Sequence, residues 1–166
     1  YSSSIDMQIL TDMFSYYIQA AKLLNVDTEF SEKVQDARSR LVPPQIGKGG
    51  ELQEWAEDYG QLEKQHRHNS HLYGLYPGNV FSLRGTPQFI DPIKAVLEQR
   101  GDGAGGWTRA WRMCLWGRLG DGNRSNKILK GYFKDQCLPQ FFAKCYSAMQ
   151  VDGTLGITAG ITELLI

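Results

Sequence analysis

A cluster of three histidines and an arginine within six residues indicates a ligand-binding site. The segment His66-Arg67-His68-Asn69-Ser70-His71 contains every histidine of the chain. Arg67 offers five N–H donors that stay protonated, while a neutral imidazole both donates and accepts hydrogen bonds. No helical or strand-like apolar period surrounds the cluster, so core filling explains it poorly. Tyr73 and Tyr76 follow at once, and this mixture of donors, acceptors and rings suits a sugar.

Two other interpretations of the histidine cluster stay open. His66, His68 and His71 are three imidazoles, as in some catalytic zinc sites, but the H-E-x-x-H spacing of helix-borne zinc ligands is absent. Histidines with polar neighbours are also common as structural groups. We predict no metal and no cofactor.

Two further segments carry carboxylates, which are side chains that suit sugar chemistry. Four of them surround Trp55 within residues 51–58, and Glu54 is explained equally well as a sugar contact or as part of a solvated turn. Asp152 lies on a loop before Gly153 and the last helix. Its spacing alone favours a charge at a helix N-terminus over the acid–base carboxylate that glycoside hydrolysis requires.

Apolar residues at three- and four-residue spacing predict the helices that must position these groups. We expect them at 5–24 after Ser3 or Ser4, 28–41, 87–97, 107–119, 123–133 and from Gly156 to the end. Only the glycine-rich residues 46–50 favour a small hairpin. Long connections over 44–86 and 138–156 are typical of functional loops. The sequence predicts an all-α fold of antiparallel helix pairs, about half of an (α/α)6 toroid.

The composition argues against several classes of partner. Eighteen basic and eighteen acidic residues give no net charge, which disfavours nucleic acid and anionic membranes as partners. No apolar run is long enough to span a bilayer, so we do not expect a membrane as a partner. Three cysteines without a C-x-x-C pair indicate neither a disulfide framework nor a zinc knuckle. Residues 1–166 suit one partial domain, which we expect to be truncated at both ends.

Several segments resemble those of glycoside hydrolase family 95, the 1,2-α-L-fucosidases. The histidine cluster and the residues up to Gly78 follow the pattern H-R-H-x-S-H-L-x-G-L-Y-P-G of that family. Further similar segments occur in the same order: Met7-Gln8-Ile9, Leu52-Gln53-Glu54-Trp55, Gly106-Trp107-Thr108-x-Ala110-Trp111, Arg118-Leu119-Gly120-Asp121-Gly122 and Val151-Asp152-Gly153. The resemblance implies an (α/α)6 barrel, of which this chain is the C-terminal part of the catalytic domain.

The resemblance also implies roles for individual residues. Arg67 and His68 match the pair that binds the sugar at the cleavage point, and Asp152 matches the acid that helps to activate the attacking water. This match reverses the preference for a helix-terminal charge. Further sugar contacts are expected from three residues in or near matching segments: His71, Trp107 and Glu54.

Two departures from the family pattern matter. Thr154-Leu155 stands where the family has Asn-Phe, and the Ser-Pro-Glu and Asn-x-Asn segments that carry its general acid and partner asparagines do not occur in this chain. The resemblance therefore implies that a missing upstream part of the same barrel supplies the proton donor, and that this chain alone is inactive.

The leading hypothesis is a fragment of an inverting, exo-acting α-L-fucosidase. It would remove terminal α-1,2-linked L-fucose, or related L-galactose, from fucosylated glycans. We expect the protein to be secreted or periplasmic, because such glycans lie outside cells. The alternative is a non-catalytic glycan-binding or helical scaffold module, in which Arg67, His68 and Trp107 hold a sugar without chemistry.

Overall fold

Six α-helices dominate the structure, a computed structural model that describes residues 2–60 and 63–166. In chain order they are α1 (Ser4–Leu24), α2 (Thr28–Ser39), α3 (Ile90–Arg100), α4 (Gly106–Arg118), α5 (Gly122–Asp135) and α6 (Val151–Leu165). Within the described residues, two short antiparallel strands, β1 (Ala143–Cys145) and β2 (Ala148–Gln150), connect α5 to α6. The prediction of an all-α fold is confirmed.

Local sequence signals explain where several helices begin and end. The Ser3 hydroxyl accepts a hydrogen bond from the Asp6 amide at 3.3 Å at the start of α1. At the start of α5, the Asp121 carboxylate accepts a hydrogen bond from the Arg124 amide at 2.8 Å. Gly101, with a φ of +70°, ends α3 in a conformation that side chains rarely adopt. These caps supply partners for backbone groups that a helix end leaves free.

Helix α4 is the centre of the packing, because it contacts both α5 and α6. Residues 119–121 connect α4 to α5, and residues 25–27 connect α1 to α2, which also pack together. Such short connections make each pair antiparallel. The core lies around α3 and α4 and takes in the loop residues Leu72, Leu75 and Phe81. The arrangement is that of a partial α/α toroid.

The last helix begins at Val151, and the sequence prediction of a start after Gly156 is wrong. Two glycines suggested a break, but both lie inside the helix because α4 packs closely against them. A Cβ at Gly153 would lie 2.7 Å from the backbone nitrogen of Trp107, and one at Gly156 would lie 3.1 Å from the Ala110 Cβ. Asp152 is consequently in the first turn of α6 and not on a loop.

Short strand pairings occur in both long connections. Ile46 pairs with Leu52 across a turn in which the Gly47 amide donates to the Glu51 carbonyl at 2.8 Å, as the glycine-rich segment predicted. The β1–β2 hairpin was not predicted, because strands of three residues are too short to show an apolar alternation.

Candidate active site

An open cavity of about 920 Å³ lies where the histidine segment meets the N-terminal ends of α4 and α6. Four of the six residues predicted for the site line it: Arg67, His68, Trp107 and Asp152. Two long connections and two helix starts therefore bring together groups that lie up to 85 positions apart, from Arg67 to Asp152.

The starts of α4 and α6 lie in close contact with each other and with β1 next to this cavity. A Cβ at Gly106, the first residue of α4, would lie 2.8 Å from the Ala143 Cβ, and one at Gly153 would meet the same atom at 2.8 Å. The Trp107 amide donates to Oε1 of Gln150 at 2.8 Å. Trp107 and Asp152 are thus held on neighbouring helix starts.

Thr154, which replaces the asparagine expected from the resemblance, connects the hairpin to α6. Its hydroxyl accepts a hydrogen bond from the Ala143 amide at 2.8 Å and donates to the Gln150 carbonyl at 3.0 Å. One Asp152 oxygen accepts from the Gly153 amide at 2.8 Å. The substitution therefore leaves a hydrogen-bonded first turn in which the aspartate faces the cavity.

The histidine segment presents a hydrogen-bonded group of side chains to the cavity. Arg67 Nε donates to His68 Nε2 at 3.0 Å, and the His68 amide donates to His66 Nδ1 at 3.2 Å. Desolvation lowers the pKa of His68, and the charges of Arg67 and His66 lower it further. A neutral His68 that accepts at Nε2 carries its proton on Nδ1, which can donate to a ligand.

His71 and Glu54 do not line the cavity. His71 is completely buried, and its carbonyl accepts a hydrogen bond from Gln8 Nε2 on α1 at 2.8 Å. Burial, with the charge of Arg100 as a second cause, lowers the pKa of His71 to about 3. Glu54 lies next to buried groups: its carboxylate is 3.9 Å from His71 Nδ1 and 3.4 Å from Arg100 Nη2. Both residues support the loop from the side of the core.

Further polar residues of the cavity were missed by the sequence reasoning. Arg109 lines it and pairs with Asp135 of α5 at 3.2 Å. Lys144 and Tyr146 line it from the hairpin. The length of the connection over 138–156 was a signal for the hairpin residues, whereas Arg109 had none, because its position depends on how α4 packs. Cations, carboxylates and rings together line the cavity and match the groups that bind a sugar.

Neither a metal site nor a membrane helix is found in the described part of the chain. Across residues 2–60 and 63–166, no three His, Cys, Asp or Glu side chains are grouped in a way that holds a metal ion. Over the same residues, no helix is both long and apolar enough to cross a membrane.

Comparison with known proteins gives one consistent family. The sequence matches the glycosyl hydrolase family 95 catalytic domain over residues 1–165. It is 32% identical to "Alpha-L-fucosidase 2" of Arabidopsis thaliana over 100% of this chain and 21% of the relative. It is 29% identical to "Probable alpha-fucosidase A" of Aspergillus niger over 96% of this chain and 21% of the relative.

The relatives are much longer than this chain. A "Probable alpha-fucosidase A" of Aspergillus oryzae is 27% identical over 96% of the chain and 25% of the relative. The chain therefore spans between a fifth and a quarter of the length of these curated relatives. The match covers nearly all residues of the chain and agrees with the cavity described above. The chain therefore belongs to the family of glycosyl hydrolase family 95 catalytic domains.

Proposed function

We propose that the chain supplies one side of the active site of an α-L-fucosidase-type glycoside hydrolase. The observation that carries this proposal is the convergence of Asp152, Arg67 and His68 on a single open cavity. The relatives carry the names of α-fucosidases, which supports the same assignment.

Asp152 acts as the general base in this proposal. Its carboxylate takes a proton from a water molecule while that water attacks the anomeric carbon of the sugar. In an inverting reaction a general acid protonates the leaving oxygen from the opposite side, with the two groups about 6.5–9.5 Å apart to leave room for the water. We assign that acid to a part of the full-length protein outside residues 1–166, because the Ser-Pro-Glu segment does not occur within them.

Arg67, His68 and Trp107 hold the sugar. The guanidinium donates to sugar hydroxyls, and the neutral His68 donates through Nδ1 while its Nε2 stays bonded to Arg67 Nε. The indole of Trp107 offers an apolar face to the C–H groups of the ring. The proposed substrate is a glycan with terminal α-1,2-linked L-fucose or the related L-galactose. Export from the cell follows from that substrate, because such glycans lie outside cells.

The test is the Asp152→Asn variant of the full-length protein that contains this chain, assayed on a fucosyl-α-1,2-galactoside. General base catalysis is worth about two to four orders of magnitude in rate, so we expect kcat to fall by that amount. Binding of L-fucose, measured by calorimetry, should largely survive, since the amide keeps the shape of the side chain. NMR of the first product formed by the wild-type protein would show β-L-fucose if the configuration inverts.

The matched control is Asp36→Asn, which changes an exposed carboxylate on α2 that pairs with Arg40. Its kcat should equal that of the wild type. An undiminished rate in Asp152→Asn would refute the proposed base. If the full-length protein binds fucosylated glycans without any turnover, the non-catalytic binding module is the better assignment.

A further inference from the structure

Arg112 on α4 is a buried cation whose hydrogen bonds go to backbone carbonyls. Only 1% of the residue is exposed, and its Nε has no hydrogen-bond partner among residues 2–60 and 63–166. Burial, with the neighbouring charge of Arg100 as a second cause, lowers the pKa of Arg112 to about 10. Burying a cation without a hydrogen-bonded carboxylate is costly. The contacts made by its two terminal nitrogens indicate what this cation does.

The two carbonyls that Arg112 binds belong to two segments that meet at the cavity. Nη1 donates to the Gly103 carbonyl at 2.7 Å, and Nη2 donates to the His66 carbonyl at 3.1 Å. Gly103 precedes Ala104 and Gly105, which line the cavity just before α4, and His66 is itself a lining residue. One buried side chain therefore joins the two segments next to the cavity.

The position of His66 determines where the sugar-binding side chains are presented. The ring of His66 accepts from the His68 amide at 3.2 Å, and His68 in turn accepts from Arg67 Nε at 3.0 Å. A second buried guanidinium holds the beginning of the same segment, because Arg100 Nη1 donates to the Glu63 carbonyl at 2.9 Å. The exposed residues 63–68 are thus anchored through their backbone to the core.

We propose that Arg112 is a positioning residue for sugar binding, which holds Arg67 and His68 at the cavity by clamping the His66 backbone to the Gly103 loop. This inference rests on the proposed function, since it takes Arg67 and His68 as the sugar-binding pair. A lysine cannot replace the clamp. Its single ammonium on a flexible stem does not match two carbonyls held in the fixed geometry of a guanidinium fork.

The test is a double-mutant cycle in the full-length protein, with the Kd for L-fucose measured by calorimetry. Arg112→Lys keeps the buried charge but loses the two-carbonyl clamp, so we expect its Kd to rise about tenfold. His68→Ala should also weaken binding. Because Arg112 acts through the same segment, adding Arg112→Lys to His68→Ala should raise the Kd by no more than about twofold further.

The matched control is Arg118→Lys, an arginine of the same helix that pairs with Glu163 outside the cavity. Its Kd should be that of the wild type. A purely structural loss lowers the binding stoichiometry, which reports the folded fraction, and leaves the Kd unchanged. The positioning role is wrong if Arg112→Lys has the Kd of the wild type. It is also wrong if the fold-change in Kd of the double variant equals the product of the two single fold-changes. A wild-type Kd for His68→Ala overturns the sugar site itself, and the role of Arg112 with it.

Discussion

Two histidines of one segment lie in different environments, and the pKa of each is lowered. His68 lies at the cavity, and its pKa is lowered first by desolvation and then by the charge of Arg67. His71, three residues later, lies in the core beside Arg100 with a pKa of about 3. Both imidazoles are therefore neutral at pH 7. A neutral His68 can accept a hydrogen bond, and a neutral His71 spares the folded protein the cost of a buried charge.

Acid should destabilise the protein through His71. On unfolding, its pKa rises from about 3 to the ordinary value of 6.5, so between these values the unfolded state binds a proton that the folded state does not. The contribution is complete above about pH 6.5 and is lost as the pH falls towards 3, at about 1.4 kcal/mol per pH unit. A proton on His71 would be repelled by Arg100, and the Glu54 carboxylate, 3.9 Å from Nδ1, would offset part of this repulsion.

The measurement is the thermal unfolding midpoint of the full-length protein and of its His71→Gln variant at pH 7 and pH 5. The wild-type midpoint should fall more steeply with acid, because glutamine does not titrate. Equal slopes for the two proteins would show that His71 is not held neutral in the folded state.

At the scale of elements, the contact between the starts of α4 and α6 places the proposed base. Gly153 immediately follows Asp152, and its missing side chain lets the backbone of α6 approach Trp107 and Ala143. The three nearest atoms there are two backbone atoms and the Ala143 Cβ, so a larger residue cannot be accommodated by a simple side-chain rotation. The geometry of the cavity therefore depends on this glycine as much as on the aspartate beside it.

Replacing this glycine should damage both stability and activity. In Gly153→Ala the new Cβ would lie 2.7 Å from the Trp107 nitrogen, and overpacking of this kind costs about 1–3 kcal/mol. Separation of the two helix starts should also displace Asp152 and lower kcat. Thermal unfolding and hydrolysis rates of the full-length variant measure the two effects.

Gly122→Ala is the control for that substitution. Its Cβ would lie at an ordinary 3.4 Å from Leu164 Cδ1, at the flexible end of a side chain in the first turn of α5. It should match the wild type in rate and midpoint. The close-approach argument fails if Gly153→Ala behaves in the same way.

At the scale of the whole molecule, this chain provides a cavity and one proposed base, while the reaction needs two opposed groups. An inverting glycosidase with only one of them has no proton donor for the leaving group. The family relationship covers residues 1–165, yet the relatives named above are four to five times longer.

Residues 1–166 expressed alone should therefore show no hydrolysis of a fucosyl-α-1,2-galactoside, whereas the full-length protein should be active. The assay compares equal molar amounts of both, and circular dichroism checks that the short chain is helical. Turnover by the short chain would mean that a carboxylate within it, such as Glu63 or Asp135 of the cavity wall, serves as the acid.

Helix content could be predicted, and candidate site residues could be proposed, from the sequence because both leave local signals. Apolar spacing depends only on residues three and four apart, and it predicted all six helices to within a few residues, apart from the start of α6. The histidine segment and Asp152 stood out by residue type and motif. Asp152 was assigned a role by resemblance, since its spacing alone did not distinguish a base from a helix-terminal charge.

Only the tertiary structure decided which of these residues share a cavity. His68 and His71 belong to one motif, yet one lies at the cavity and the other in the core, since burial depends on what packs against the segment. Glycines that read as helix breaks in the sequence permit the approach of α4 to α6. The hydrogen bond from Arg112 to the His66 carbonyl joins residues 46 positions apart. Such long-range contacts depend on the packing of the whole chain, which no local pattern records.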